Sequence, residues 1–267
     1  MIHVFSLHYG DDKWSELQIK SIHKHIKVPY KTYSVYSHMD EDSYRKWENE
    51  WDVFLVEEKG KHAHKSGNFH LTDGHRYIIP EILKHAEPGD IFLRLDSDAF
   101  LINDIDESFI ELVNKHQFVS LKEPEHEWDT TYHTPHPALW AFPVELLNTK
   151  LAYQMSELLE DHHSNWWGGV VHWLEENNIK WHPLERTNEV NLHPLYFGVY
   201  DDLVYHHWAG SRDMITRPDR KIARESNVSI ESVRDDNIKL NRRIMEQLNV
   251  QPDVFIDYLR GIETEVE

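Results

Sequence analysis

Cysteine is absent from the 267 residues. The chain therefore has no disulfide, no thiolate metal site and no cysteine nucleophile. Positive charge is the second shortage: 28 Lys and Arg stand against 47 Asp and Glu, a net charge of −19 with His neutral. Such a surface repels phosphate backbones, which excludes general nucleic-acid binding yet leaves room for a single nucleotide held through a cation. Long apolar runs are missing too. None approaches the roughly 18–20 residues of a membrane span, so none is expected. The opening "MIHVFSLHYG" enters strand-like alternation without a basic n-region or an apolar h-region; a soluble, cytoplasmic protein is the expectation. There is also no G-x-S-x-G, no Walker A and no G-x-G-x-x-G.

What is present suffices for a large core. Apolar residues make up 40% of the chain and ten are Trp, which argues against disorder, and the length suits one large domain or one domain with a helical appendage. Strand-like segments are read at Ile2–Leu7, Tyr30–Tyr36 and Asp52–Val56. Helical spacing is read at Trp14–Ile26 and in "RYIIPEILKHA", where Pro80 marks a kink or a start. "EPGD" then turns the chain into a strand at Ile91. This β-α-β-β-α-β rhythm predicts a mostly parallel sheet covered by helices, an α/β fold. Further strands are expected at Phe118–Leu121, Ala138–Phe142 and Leu203–His206, and helices at Val144–Leu159 and after the glycines of "NWWGGVVHWLEENN". From Ile230 the spacing of Ile230, Val233, Ile238, Ile244 and Leu248 predicts closing helices, separated near Asn249–Pro252. The expected division is a main domain over residues 1–225 and a helical extension over 226–267 packed on it.

The chemistry centres on "IFLRLDSDAFLI", residues 91–102. Asp96 and Asp98 interrupt the most apolar strand of the chain at its carboxyl end, where open α/β sheets bind ligands. In extended chain, residues i and i+2 point the same way, so both carboxylates converge on one spot. Their repulsion is relieved by a divalent cation, and oxygen ligands suit Mg²⁺ or Mn²⁺ completed by substrate phosphates. The competing reading is ordinary: Asp also forms turns and caps helices. "LVYHHWAGSR" adds a short strand ending in His206–His207, an imidazole source that would favour Mn²⁺, followed by Gly210 and by Arg212, a candidate diphosphate contact. Arg76 lies twenty residues before Asp96. "NWWGGVV" and "HPALWAF" offer Trp166, Trp167, Gly168 and Gly169, with His136 and Trp140, as an apolar platform for a sugar ring, although Trp is as readily core. "HAH" at 62–64 and "DHH" at 161–163 extend to no zinc-hydrolase spacing.

With these residues in hand, the chain resembles a GT-A-fold glycosyltransferase, closest in layout to the glycogenin-like and galactosyltransferase group known as family eight. "HRYIIPEILKHAEPGDIFLRLDSDAFLINDI" is similar to that group's Arg-aliphatic-aliphatic-Pro helix, turn, strand ending in D-x-D, and Asp-Ile. Arg76, Pro80, Asp96, Asp98 and Asp104 fall on matching positions, and "VYHHWAGSR" resembles its metal-binding His followed by Gly and a basic residue. The likeness implies a Rossmann-like GT-A domain and a Mn²⁺ (or Mg²⁺) cofactor. It further implies a nucleotide-diphosphate sugar donor, UDP favoured, and a carbohydrate or glycoconjugate acceptor. Asp96 and Asp98 would hold the metal with either His206 or His207. Leu7, His8 and Tyr9 would cradle the base; Ser97 would join Asp96 at the nucleotide, and Arg76 and Arg212 would reach ribose or diphosphate. The group's Asn-Ala-Gly strand is replaced here by "HPALWAF", and "HHSNWWGG" stands where its Asp-Gln-Asp motif would be. An inverting enzyme would draw its base from Asp161 or His163; a retaining one would leave Asn165 beneath the anomeric carbon. A nucleotidyltransferase of related fold and a non-catalytic nucleotide- or sugar-binding protein are the rival readings.

Overall fold

The structure, a computed structural model, describes residues 1–9, 12–56, 78–122, 135–148, 170, 173–208 and 217–262. They fall into two compact units, Met1–Ser97 with Asp104–Leu184 and Asp98–Asn103 with Glu185–Glu267. The fold is mixed α/β, with a large, mainly parallel sheet, flanking helices and a helical C-terminal region.

The first unit is built on β1 (Ile2–Tyr9), β2 (Tyr30–Ser37), β3 (Val53–Val56), β4 (Ile91–Asp96), β6 (Val119–Lys122), β7 (Pro135–Pro143) and β8 (His182–Leu184), in the order β3-β2-β1-β4-β7-β6-β8. β1 pairs in parallel with both β2 and β4, β2 with β3, and β6 with β8; β7 runs antiparallel to β4 and β6. β1 and β4 are buried almost end to end, as parallel strands covered on both faces must be. Parallel neighbours need a crossover. Helix α1 (Ser15–His25) provides it between β1 and β2, and α2 (Glu41–Trp47) between β2 and β3, its N-terminus capped by Asp40 accepting from the Ser43 N–H. α3 (Glu107–His116) starts on an Asp106 cap and ends on Gln117 in the left-handed region, with Phe109 and Val113 buried one turn apart.

One face of this sheet carries the main core, with Phe92, Phe118, Trp140, Phe142 and Trp173 among its large side chains. Phe118 stacks on Phe142 at 5.5 Å, which tilts against Phe92 at 4.8 Å. The helix expected over Val144–Leu159 begins as a 3₁₀ turn, Val144–Asn148, and its remainder lies outside the described residues. Residues 78–83 are helical, with Pro80 inside the stretch.

The amino end of the sheet is bolted by a buried polar cluster. His3 contacts Tyr33 Oη through Nδ1 and Asp90 through Nε2, both at 2.9 Å. Burial pulls the His3 pKa below its ordinary 6.5 despite Asp90. Burial alone would raise Asp90, but the Met1 amino group, the Glu87 N–H and His3 outweigh it and hold the carboxyl below its usual range. Because folded His3 takes up its proton at lower pH than the unfolded chain, its contribution is complete above the unfolded value and declines as pH falls through and below about 6.5. Asp90 loses its contribution only in the more acidic carboxylate range. The melting temperature of the wild type should therefore fall more steeply from pH 7 to pH 5 than that of His3→Gln. Parallel curves would show that His3 does not titrate with folding.

The second unit holds a three-stranded antiparallel sheet, β5 (Ala99–Leu101), β10 (Val204–His206) and β9 (Gly198–Tyr200), with β10 in the middle. Helices α4 (Arg217–Ser226), α5 (Ile230–Val250) and α6 (Pro252–Leu259) follow. Ser229 caps α5, and Pro252 opens α6 at a position where its missing N–H costs nothing.

Candidate metal centre

The strand order β3-β2-β1-β4 reverses direction around β1, because β2 lies on one side of it and β4 on the other. Such a switch point opens a crevice beyond the carboxyl ends of the two strands. The register sets Leu7 opposite Asp96, so the end of β1 and the first carboxylate lie side by side at the carboxyl edge of the sheet. Leu7 is buried, His8 wholly so, and Tyr9 is half exposed.

His8 is held by a directional relay. The Trp51 indole N–H donates to Tyr36 Oη (3.2 Å), Tyr36 donates to Ser15 Oγ (2.8 Å), and Ser15 Oγ lies 3.3 Å from His8 Nδ1. Indole only donates, so the first two bonds run from Trp51 through Tyr36 to the Ser15 oxygen, which contacts His8 Nδ1. The Tyr36 ring stacks on His8 at 4.5 Å, and burial pushes the Tyr36 hydroxyl up to about 12. His8 is thus a fixed, buried floor at the end of β1, and Tyr9 is the exposed ring beside it.

Asp96 ends β4 with its carboxylate a quarter exposed. Its main-chain oxygen accepts from Gln18 Nε2 at 2.6 Å, and Oδ1 accepts from the Ser97 N–H at 3.2 Å. Two residues on, Asp98 introduces β5. The antiparallel register places His206 opposite Ala99, and the His207 N–H donates to the Asp98 carbonyl at 3.0 Å. That pairing brings His206 Nε2 to 3.2 Å from Asp98 Oδ1. One ligand-capable atom from each of Asp96, Asp98 and His206 lies within 4.8 Å of the others. On the far side of β10, Gly198 faces His206. A Cβ there would meet the Tyr200 ring at 2.5 Å, so only glycine fits.

The geometry also separates the two candidate histidines. His207 Nδ1 contacts Tyr205 Oη at 2.8 Å, and its Nε2 bonds Asn241 of α5. Burial, reinforced by the nearby Asp98 charge, holds the Tyr205 hydroxyl far above 10, so it stays protonated as a donor. With both ring nitrogens engaged, His207 ties β10 to α5, and His206 is the imidazole beside Asp98. Trp208 follows with φ at 64°, unusual for a bulky residue. Its indole N–H donates to Tyr200 Oη at 2.9 Å, and its ring packs 5.1 Å from that of His206.

Two carboxylates and one imidazole at this spacing fit a divalent cation that accepts both oxygen and nitrogen ligands. Their burial, from a quarter-exposed Asp96 to a nearly closed His206, leaves Asp96 as the carboxylate most open to solvent.

The expected acceptor-side residues fare differently. Trp140 is fully buried within the core, and His136 is nearly so, with Nδ1 accepting from the Ala138 N–H at 3.1 Å. Neither presents a surface to a sugar. β7 lies between β4 and β6 inside the sheet, and Trp140 packs among the core rings. Arg76, Asp161, His163, Asn165, Trp166, Trp167, Gly168, Gly169 and Arg212 lie outside the described residues. Sequence reasoning passed over Arg94, although a charge two residues before Asp96 in an apolar strand must share its face.

No protein-family model and no curated protein matches the chain. Among solved structures, it is similar to the glycosyltransferase GlyE of Streptococcus pneumoniae TIGR4. The apo form aligns at TM-score 0.43 and 15% identity, and a second structure at 0.46 and 16%, each over 68% of this chain. The chain spans 44% of GlyE. It is also similar to a glycosyltransferase involved in the glycosylation of the major capsid of PBCV-1, at TM-score 0.44 and 13% identity, over 69% of this chain and 81% of that one.

Proposed function

We propose that the chain is a metal-dependent glycosyltransferase that moves a sugar from a nucleotide-diphosphate sugar, UDP-linked by preference, to a carbohydrate or glycoconjugate acceptor. The observation that carries this reading is the grouping of Asp96, Asp98 and His206 where β4 ends, beside the β1 switch point. In this proposal Asp96, Asp98 and His206 hold Mn²⁺ or Mg²⁺. When bound, that cation would neutralise charge on the diphosphate leaving group. Tyr9 and the backbone over buried His8 border the base, with Ser97 beside Asp96 at the nucleotide. Arg76 and Arg212 reach ribose or diphosphate, adding donors where negative charge develops. Trp166, Trp167, Gly168 and Gly169 form the acceptor side. Asp161 or His163 serves as base in an inverting enzyme, or Asn165 stands beneath the anomeric carbon in a retaining one. Residues 1–225 carry donor binding and catalysis, and 226–267 form the helical extension. No helix among the described residues is long and apolar enough to cross a membrane, and a cytoplasmic setting belongs to the proposal.

Metal and nucleoside diphosphate should bind cooperatively, since each completes the other's ligand set. Calorimetric titration of UDP should give markedly tighter binding with Mn²⁺ than in EDTA, and nucleotide affinity unmoved by chelation would count against the metal site. Slow release of free sugar from a sugar nucleotide would support a transferase. Pyrophosphate release would indicate a nucleotidyltransferase instead, and binding without turnover a non-catalytic receptor.

A further inference from the structure

Arg94 lies in the interior of β4, and 1% of it is exposed. Its register neighbours are Phe5 on β1 and Trp140 on β7. The guanidinium lies over the Trp140 ring at 5.5 Å, and Nη2 stands 3.5 Å from Asp96 Oδ1. An arginine does not give up its proton in a protein, so this is a permanent positive charge fixed beneath one carboxylate of the metal centre. Burying such a charge is costly, and a strand of this composition would pack at least as well with a leucine. Its position, rather than packing, gives it a role.

We propose that Arg94 is a positioning residue that offsets the Asp96 charge, so that the centre holds a divalent cation weakly by itself and firmly only when a nucleoside diphosphate arrives with it. This rests on the metal-dependent reading above and deepens it by setting the order of binding. The electrostatics are simple. Without Arg94, two carboxylates attract a free cation with their full charge; with it, one of them is already partly satisfied. Anionic phosphates reverse the balance, because they bring negative charge that both the cation and Arg94 favour. Free metal is thereby kept from filling the centre before the donor substrate, and the nucleotide becomes part of the cation's site.

The test measures Mn²⁺ binding by electron paramagnetic resonance or calorimetry, with and without UDP, in the wild type, Arg94→Met, Arg94→Gln and Arg94→Lys. Loss of the charge should tighten binding of Mn²⁺ alone by at least about tenfold and shrink the enhancement brought by UDP. Arg94→Lys should behave like the wild type. Arg94→Gln is included because it keeps a polar group should Arg94→Met fold poorly, and circular dichroism checks each variant. If the wild type binds Mn²⁺ with UDP but the folded neutral variants bind Mn²⁺ alone no more tightly than it does, Arg94 is structural and this proposal fails alone. If the wild type binds no Mn²⁺ with or without UDP, the metal reading fails and takes this proposal with it.

Discussion

Asp98→Asn should fold almost as well as the wild type and turn over sugar nucleotide about 10²–10⁴ times more slowly, since Lewis-acid stabilisation of a leaving group amounts to several kcal/mol. The substitution keeps the size of the side chain and an oxygen that can accept from His206. The main-chain bond from the His207 N–H to residue 98 is untouched. Repulsion between Asp96 and Asp98 is relieved in the metal-free protein, so stability should move by no more than about 1 kcal/mol in either direction. What is lost is one unit of charge at the point where a cation would be held. A purely structural Asp98 gives the opposite pattern. An aspartate that only caps or holds a turn costs about 0.5–2 kcal/mol when neutralised, and the folded fraction keeps its activity. Melting temperature and sugar-nucleotide turnover, measured together on this variant, separate the two. A destabilised yet active protein would remove the main reason for assigning transferase chemistry.

The same pair of residues shows where sequence reasoning reaches. Two charges in an apolar strand are visible without coordinates, because such positions are expensive to occupy and chain spacing alone fixes their common direction. β1, β2 and β4 were legible for the same reason: each is a run of apolar or alternating residues long enough to have a period. α2 was not, because a seven-residue helix that buries only Trp47 carries no periodic signal. α3 carried one that went unread, an Asp106 cap followed by Phe109 and Val113 one turn apart. β8 and β9 are three residues each and owe their place to neighbouring strands. The antiparallel course of β7 is likewise set by connectivity, which a hydrophobic pattern does not encode. The choice between His206 and His207 shows the limit most clearly. Adjacent residues of one strand face opposite ways, and which of them meets Asp98 depends on a register between β5 and β10 that spans a hundred residues of chain.

Trp140→Ala should cost about 3–5 kcal/mol, the range for removing a large aromatic side chain from a packed interior. That is a large share of the roughly 5–15 kcal/mol by which a domain is stable, so the variant should be largely unfolded or recovered only at low temperature. The ring is fully buried, lies 6.0 Å from that of Phe118, and is the surface on which the Arg94 guanidinium rests. Truncation therefore removes apolar burial and strips a buried cation of its aromatic neighbour. The surrounding rings belong to an interior from which solvent is excluded, so the space is not refilled cheaply. Trp140→Phe keeps most of the ring and should lose considerably less, with folding retained. The sequence suggested another role for this residue, a platform for the acceptor sugar, and the two roles lead to different measurements. An acceptor platform would leave the melting temperature of Trp140→Ala close to that of the wild type and weaken acceptor binding while sparing nucleotide binding. A core tryptophan lowers the melting temperature steeply, and in Trp140→Phe it leaves nucleotide affinity unchanged. Thermal denaturation of both variants, with UDP titrated into whichever remains folded, decides which role Trp140 has.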